Sequence, residues 1–163
     1  GKAHPYENGV RTPFIAHWPG KIKPRKDERR LVSNIDVMPT ILTAAGVKPP
    51  ASLPGINLLD EQAVAKRDTL FLSNFAHDMA SATEPEKSLW TRSCIHGKWK
   101  LIVWIKNPPK IRPWAGGHRR KTGSNLELFN LLTDPHETKN LADEHPAVVK
   151  DLLARINGWW KVE

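Results

Sequence analysis

The chain has 163 residues, about one domain by length, with 39% apolar residues and a formal net charge of +8. No apolar run approaches the ~18 residues that a membrane-spanning helix needs, which excludes such a helix. Its single cysteine, Cys94, excludes an internal disulfide framework.

In chain order, Phe14 to Trp18 reads as a short apolar strand closed by Pro19-Gly20. "KIKPRKDERR" is a polar loop. "SNIDVMPTILTAAG" carries helix signals. Ser33 or Asp36 can cap it; Ile35, Met38, Ile41, Leu42 and Ala45 form a helical stripe; Gly46 stands where the helix should end. Pro39 lacks an N–H, so it belongs in the first turn and favours a start near Asp36. The proline-rich "VKPPASLPGINLL" reads as a connector, and a boundary falls at 50/51, between a front segment 1–50 and a unit 51–163.

The second part is β-rich. Thr69–Phe75 is a strand candidate. "LWTRSCI" and "WKLIVWI" flank His96-Gly97-Lys98, a turn whose glycine can take positive φ, so they form a hairpin. Alternation places Trp90, Arg92 and Cys94 on one face, and Thr91, Ser93 and Ile95 on the other. After a long loop, "LELFNLL" is a further strand. Pro146 opens a last helix whose stripe is Val149, Leu152, Leu153, Ile156 and Trp159 or Trp160. The predicted class is α+β: a small antiparallel sheet of about four strands covered by a C-terminal helix, preceded by an edge strand and a helix whose apolar faces stay exposed unless a larger body covers them, which the family resemblance given below implies is an α/β domain.

The excess charge is concentrated. Ten Lys or Arg and no acid lie between Lys87 and Leu126, together with Trp90, Trp99, Trp104 and Trp114. Clustered cations among aromatics suit an anionic partner, either a sulfated or carboxylated sugar or a nucleic acid. The alternative is a solvated basic face with core tryptophans. The seven histidines show no zinc spacing, and no metal-ligand set is predicted. Cys94, inside a strand, reads as a small buried hydrophobe; the nearby Lys98 and Lys100 keep a reactive thiol as the alternative. In "GKAHPYENG", Asn8-Gly9 suits a turn that would aim Lys2, a point charge suited to tetrahedral anions.

These motifs carry a resemblance. "GKAHPYENGVRTPFIAHWPGKIKP" resembles the G-K…Y-E-G-G-[IV]-R-x-P strand and W-P-G-K turn of the sulfatases of the alkaline phosphatase superfamily. "VSNIDVMPTILTAAGVKPP" is similar to their next helix, "LPGINLLD" to the following connector, "TRSCIHGKWKLI" to their R-A-V-R-x-G-x-W-K-L-I hairpin, and "ELFNLLTDPHETKNL" to their closing strand and turn. Asn8 stands where the family has its first Gly, and Ile95 where the hairpin often has Arg.

The resemblance implies that the chain is the C-terminal third of a longer enzyme, catalytically incomplete alone, whose partner is the N-terminal catalytic domain of the same polypeptide. It implies Ca²⁺ and formylglycine in that complete enzyme, with neither bound by this segment. Of the family's catalytic residues only Lys2 carries over, as a sulfate contact. A sulfated small molecule or polysaccharide is the implied substrate, with Trp90, Arg92 and Trp114 as candidate substrate-binding residues along the basic stretch. Arg92 would then reach solvent beside an exposed Trp90; alternatively it pairs with an acid such as Glu127. By family analogy the enzyme is periplasmic or secreted, without a membrane partner. The competing function is a stand-alone module for anionic glycan, with nucleic acid the less favoured ligand.

Overall fold

A computed structural model describes residues 4–76, 81–106 and 122–162. They fall into two compact units, one comprising 1–12 with 71–163 and the other 13–70. This division differs from the 50/51 boundary read from sequence. The stretch before residue 13 belongs with the sheet, and the proline-rich connector lies inside the other unit.

The first unit is a four-stranded sheet in the order β1 (Thr69–Phe75), β2 (Leu89–His96), β3 (Trp99–Trp104) and β4 (Leu126–Asn130). Strands β2 and β3 pair antiparallel with Cys94 opposite Leu101, and β3 and β4 pair antiparallel with Leu101 opposite Leu128. Pairing of His96 with Trp99 leaves Gly97-Lys98 as the two-residue loop, and Gly97 takes φ 56°, as a tight hairpin requires.

Helix α4 (Pro146–Trp159) covers one face of the sheet. Its period-3.6 stripe, Val149, Leu152 and Ile156, packs with Cys94, Leu101 and Leu128 into one core cluster. On the opposite side a second cluster joins Ile102, Trp104 and Phe129 to Tyr6, next to the single turn α1 (Glu7–Val10). The α+β class and the helix-covered sheet are borne out.

In the second unit a 3₁₀ turn (Asn34–Asp36) runs into α2 (Val37–Ala44), with Ser33 and Asp36 forming a capping box and Gly46 at φ 75° closing the end. Asp36 is buried and takes both Arg67 guanidinium nitrogens, at 2.6 and 2.7 Å, with the Ile56 N–H at 2.9 Å and the Ser33 N–H at 2.8 Å. Thr40 Oγ1 accepts from the Leu58 N–H at 2.8 Å. Gly55 lies so close to the helix start that a Cβ there would sit 2.1 Å from the Ile35 carbonyl oxygen. These contacts explain the "LPGINLLD" motif as a strap over the start of α2. The short helix α3 (Glu61–Lys66), capped by Asp60 through Gln62 and Ala63, was not foreseen.

One expectation is corrected. Phe14–Trp18 forms no strand and pairs with none of the described strands: an isolated apolar stretch has no ladder to join. On the 3₁₀ turn and α2, Ile35, Met38 and Ile41 are all exposed, as expected of a helix whose apolar face needs a larger body to cover it.

Candidate functional site

The densest buried polar chemistry among the described residues surrounds Tyr6 and Glu7, on the sheet face opposite α4. Alternation along β3 turns Lys100, Ile102 and Trp104 to this face, and on β4 it turns Glu127 and Phe129 there. Tyr6 lies edge-on to the Phe129 ring at 6.1 Å and tilted to that of Trp104 at 6.4 Å.

Glu127 is fully buried. Its Oε2 accepts from Tyr6 Oη at 2.7 Å and Trp104 Nε1 at 2.8 Å; its Oε1 accepts from the Thr122 N–H at 2.9 Å and Thr122 Oγ1 at 2.8 Å. Four donors occupy the roughly four acceptor sites of a carboxylate, so Glu127 has no capacity left for a ligand. Beside it, the fully buried Lys100 ammonium sits 2.9 Å from Glu7 Oε1 and 2.9 Å from Glu137 Oε1. The Glu7 backbone N–H donates to Glu137 Oε2 at 2.5 Å. Glu137 is itself buried and left-handed at φ 54°, a conformation that costs a side-chain-bearing residue roughly 1–2 kcal/mol. Removing one partner from such a buried charge group costs about 3–5 kcal/mol, because the other is left uncompensated. Consecutive residues Tyr6 and Glu7 are thus bound to opposite ends of one chain segment's footprint on β3, β4 and the Asp134–Glu137 turn.

This is an anchor and contains no reactive centre. Its polar groups point inward and are mutually satisfied. No group of three or more His, Cys, Asp or Glu among the described residues could hold a metal ion. Cys94 does not fit a formylglycine precursor either: it is fully buried, burial pushes its thiol up to about 12, and Sγ faces the Leu152 carbonyl at 3.9 Å. The reading of Cys94 as a small buried hydrophobe therefore stands.

Of the candidate site residues, Lys2 and Trp114 lie outside the described residues. Trp90 packs with the Tyr6 cluster. Arg92 turns to the other face and is only 5% exposed; its Nη1 donates to Asn157 Oδ1 at 3.1 Å and to the Trp160 carbonyl. Burial alone draws its guanidinium pKa down from the ordinary value. So Trp90 and Arg92 do not share a face, and Arg92 neither reaches solvent nor pairs with Glu127.

The basic stretch is also less uniform than its composition. Arg92 and Lys100 are spent internally, Lys87 pairs with Glu84 at 2.6 Å, and Lys98 lies over the Trp99 ring at 5.2 Å. Lys110, Arg112, Arg119, Arg120 and Lys121 are outside the described residues. Sequence reasoning missed Glu7, Lys100, Glu127 and Glu137. One signal was available: a lysine in the middle of the apolar run "WKLIVW" must be either exposed or paired.

Comparison with known proteins places these features. Residues 1–115 match the family described as N-sulphoglucosamine sulphohydrolase, C-terminal. The chain is 30% identical over 161 residues to an N-acetylgalactosamine-6-O-sulfatase of Bacteroides thetaiotaomicron, covering 93% of this chain and 28% of the relative. It is 42% identical over 157 residues to a steryl-sulfatase of Rattus norvegicus, covering 88% and 26%. A solved structure from work on glycosaminoglycan metabolism by Bacteroides thetaiotaomicron superposes with a TM-score of 0.67 at 26% identity, over 97% of this chain and 31% of that one. The chain thus spans under a third of the length of each of these.

Proposed function

This chain belongs to the sulfatases, as a C-terminal portion, and from that premise we propose that it completes the catalytic domain of a sulfuric ester hydrolase and supplies one wall of its substrate cleft. The observation that carries the reading is the ordered match of residues 1–115 to the C-terminal family, with Lys2 and the Tyr6–Gly9 turn at its start. Lys2 is the proposed sulfate contact: an ammonium stabilises charge developing on sulfate oxygens. The remaining chemistry, formylglycine and Ca²⁺, is proposed to come from the rest of the polypeptide. The partner is then the N-terminal catalytic domain. The exposed apolar residues of the 13–70 unit, Phe14, Ile15, Ile35, Met38 and Ile41, support it, because such a surface is ordinarily covered.

The substrate proposed is a sulfate ester of a sugar or of a small hydrophobic alcohol, the two kinds of compound in the names of the relatives. Export from the cytoplasm is part of the proposal; no described helix is long and apolar enough to cross a membrane. The stand-alone binding module loses support, because two cations of its basic stretch are buried in internal contacts. In the complete polypeptide, Lys2→Ala should lower kcat/KM on 4-nitrophenyl sulfate by about a hundredfold or more, the scale of losing one charge-stabilising donor. The 163-residue chain alone should show no turnover. Unchanged activity in the variant, or turnover by the isolated chain, would overturn the reading.

A further inference from the structure

We infer that the loop 21–30 is a binding surface for the sulfated chain of a polysaccharide. This rests on the reading of the chain as part of a sulfuric ester hydrolase, and it narrows the substrate to a polymeric sugar.

Three observations carry it. First, the loop is cationic and open to solvent. "KIKPRKDERR" holds six Lys or Arg against two acids, and every charged residue in it is exposed. Second, hydrogen bonds and ion pairs hold the loop in one shape. At its start the Trp18 carbonyl accepts from the Lys21 and Ile22 N–H groups at 3.1 and 2.9 Å. Asp27 Oδ1 accepts from the Arg29 and Arg30 N–H groups at 3.1 and 3.2 Å, as an Asx turn does. Glu61, the first residue of α3, takes Arg25 Nη1 on Oε1 at 2.7 Å and Arg30 Nη1 on Oε2. Just past the loop, Arg67 Nη1 donates to the Leu31 carbonyl at 3.4 Å. Each exposed tie is weak alone. Together they order the loop before any ligand arrives, which lowers the entropy cost of binding. Third, positive charge is left over. Lys21, Lys23 and Arg29 form no ion pair among the described residues. Glu61 offers one negative charge to two guanidinium groups, so that cluster stays positive as well.

Several fixed cations on one short loop suit a ligand that repeats its negative charge along an extended chain. Lysine meets a sulfate as a compact point charge, and arginine meets it with a fork of donors. The loop lacks what other polyanions need. It has no aromatic side chain on which a base could stack, and no helix or strand that could enter a groove. Its one aliphatic side chain besides Pro24 is Ile22, too little apolar surface to enter a lipid interface. A polymer held here raises the local concentration of its own sulfate esters at the enzyme.

The test titrates the complete polypeptide into fluorescein-labelled chondroitin sulfate and reads fluorescence anisotropy. Binding should weaken as salt rises. The triple variant Lys21→Ala, Lys23→Ala, Arg29→Ala should bind about tenfold more weakly and with a shallower salt dependence, because fewer counterions are released. Its thermal midpoint should stay within a few degrees of the parent, since no ion pair among the described residues is lost. Should it fold poorly, the glutamine triple Lys21→Gln, Lys23→Gln, Arg29→Gln replaces it. A charge-matched control, Lys98→Ala, Lys150→Ala, Lys161→Ala, removes three exposed cations elsewhere and should bind within about twofold of the parent. Unchanged affinity in the first triple, or an equal loss in both, overturns the surface; turnover of 4-nitrophenyl sulfate by the parent then leaves the enzyme reading standing. Absence of that turnover removes the reading and this inference with it. A DNA duplex that displaces the labelled glycan at lower concentration than unlabelled chondroitin sulfate does would make nucleic acid the partner and overturn the assignment.

Discussion

Arg92, on β2, donates through Nη1 to the backbone carbonyl of Trp160, the residue that follows α4. The last carbonyls of a helix have no partner within it, and its C-terminal end favours a cation. Arg92 supplies both a donor and a charge, and holds Asn157 at 3.1 Å as well. Because hydrogen bonds from charged groups contribute about 1.5–3 kcal/mol, Arg92→Ala should cost roughly 2 kcal/mol of stability in urea unfolding. Arg92→Lys should recover part of it. In the complete enzyme, Arg92→Ala should lower activity on a small aryl sulfate and on an anionic oligosaccharide equally. A loss confined to the oligosaccharide would restore Arg92 to the cleft.

The Asp36–Arg67 pair makes the 13–70 unit sensitive to acid. Burial alone would raise the Asp36 pKa, but the Arg67 hydrogen bonds, with the Ile56 and Ser33 N–H groups, outweigh it and hold the carboxyl below its usual 3.8. A carboxyl whose folded pKa is depressed adds stability above its unfolded pKa, and that contribution disappears as pH falls through the folded value. Amide exchange at Ile56 and Ser33 should therefore be slow from pH 5 to 7 and, after correction for intrinsic rates, accelerate below about pH 4. Asp36→Asn should flatten this dependence. An unaltered acid profile in that variant would show that another group controls the transition.

At Gly55 the constraint is steric. A methyl there would meet the Ile35 carbonyl oxygen at 2.1 Å and its carbon at 2.6 Å, and both belong to backbone that cannot swing aside. Gly55→Ala should destabilise the 13–70 unit by about 2 kcal/mol or more, the upper range for overpacking. Gly97→Ala, whose Cβ would meet nothing within 4 Å, should cost only the ~1 kcal/mol of a left-handed alanine. Thermal unfolding of the two variants checks the order, and a reversed order would refute it.

What could be read in advance follows the range of the forces involved. The α4 stripe was legible because Val149, Leu152 and Ile156 repeat at one helical period, and the hairpin because Gly97 marks its turn. Both are local signals. Phe14–Trp18 was misread because apolar composition does not reveal whether a neighbouring strand exists. Arg92 was placed on the correct strand but aimed wrongly, since its partner at Trp160 lies 68 residues away. The Tyr6–Glu127 and Lys100–Glu7 contacts span 121 and 93 residues, and one sequence holds no record of such pairings. The motif around Tyr6 was recognised; what it grips required coordinates.

Exposure divides the chain into parts of unequal firmness. Leu101, Ile102 and Leu128 are fully buried between two packed faces, whereas Met38 and Ile41 are more than half exposed on α2. Elements with little apolar burial open at low free energy. In the isolated chain, the Ala45 and Val47 amides, bonded to Ile41 and Leu42 at 2.9 and 2.8 Å, should exchange roughly a hundredfold faster than the Ile102 and Leu128 amides. If the catalytic domain covers this surface, as proposed, the same two amides should gain protection in the complete polypeptide while Ile102 changes little. Equal protection across α2 and β3 in the isolated chain would mean that α2 is held firmly without its apolar face. Unchanged exchange at Ala45 and Val47 in the complete polypeptide would remove the catalytic domain as the occupant of that face.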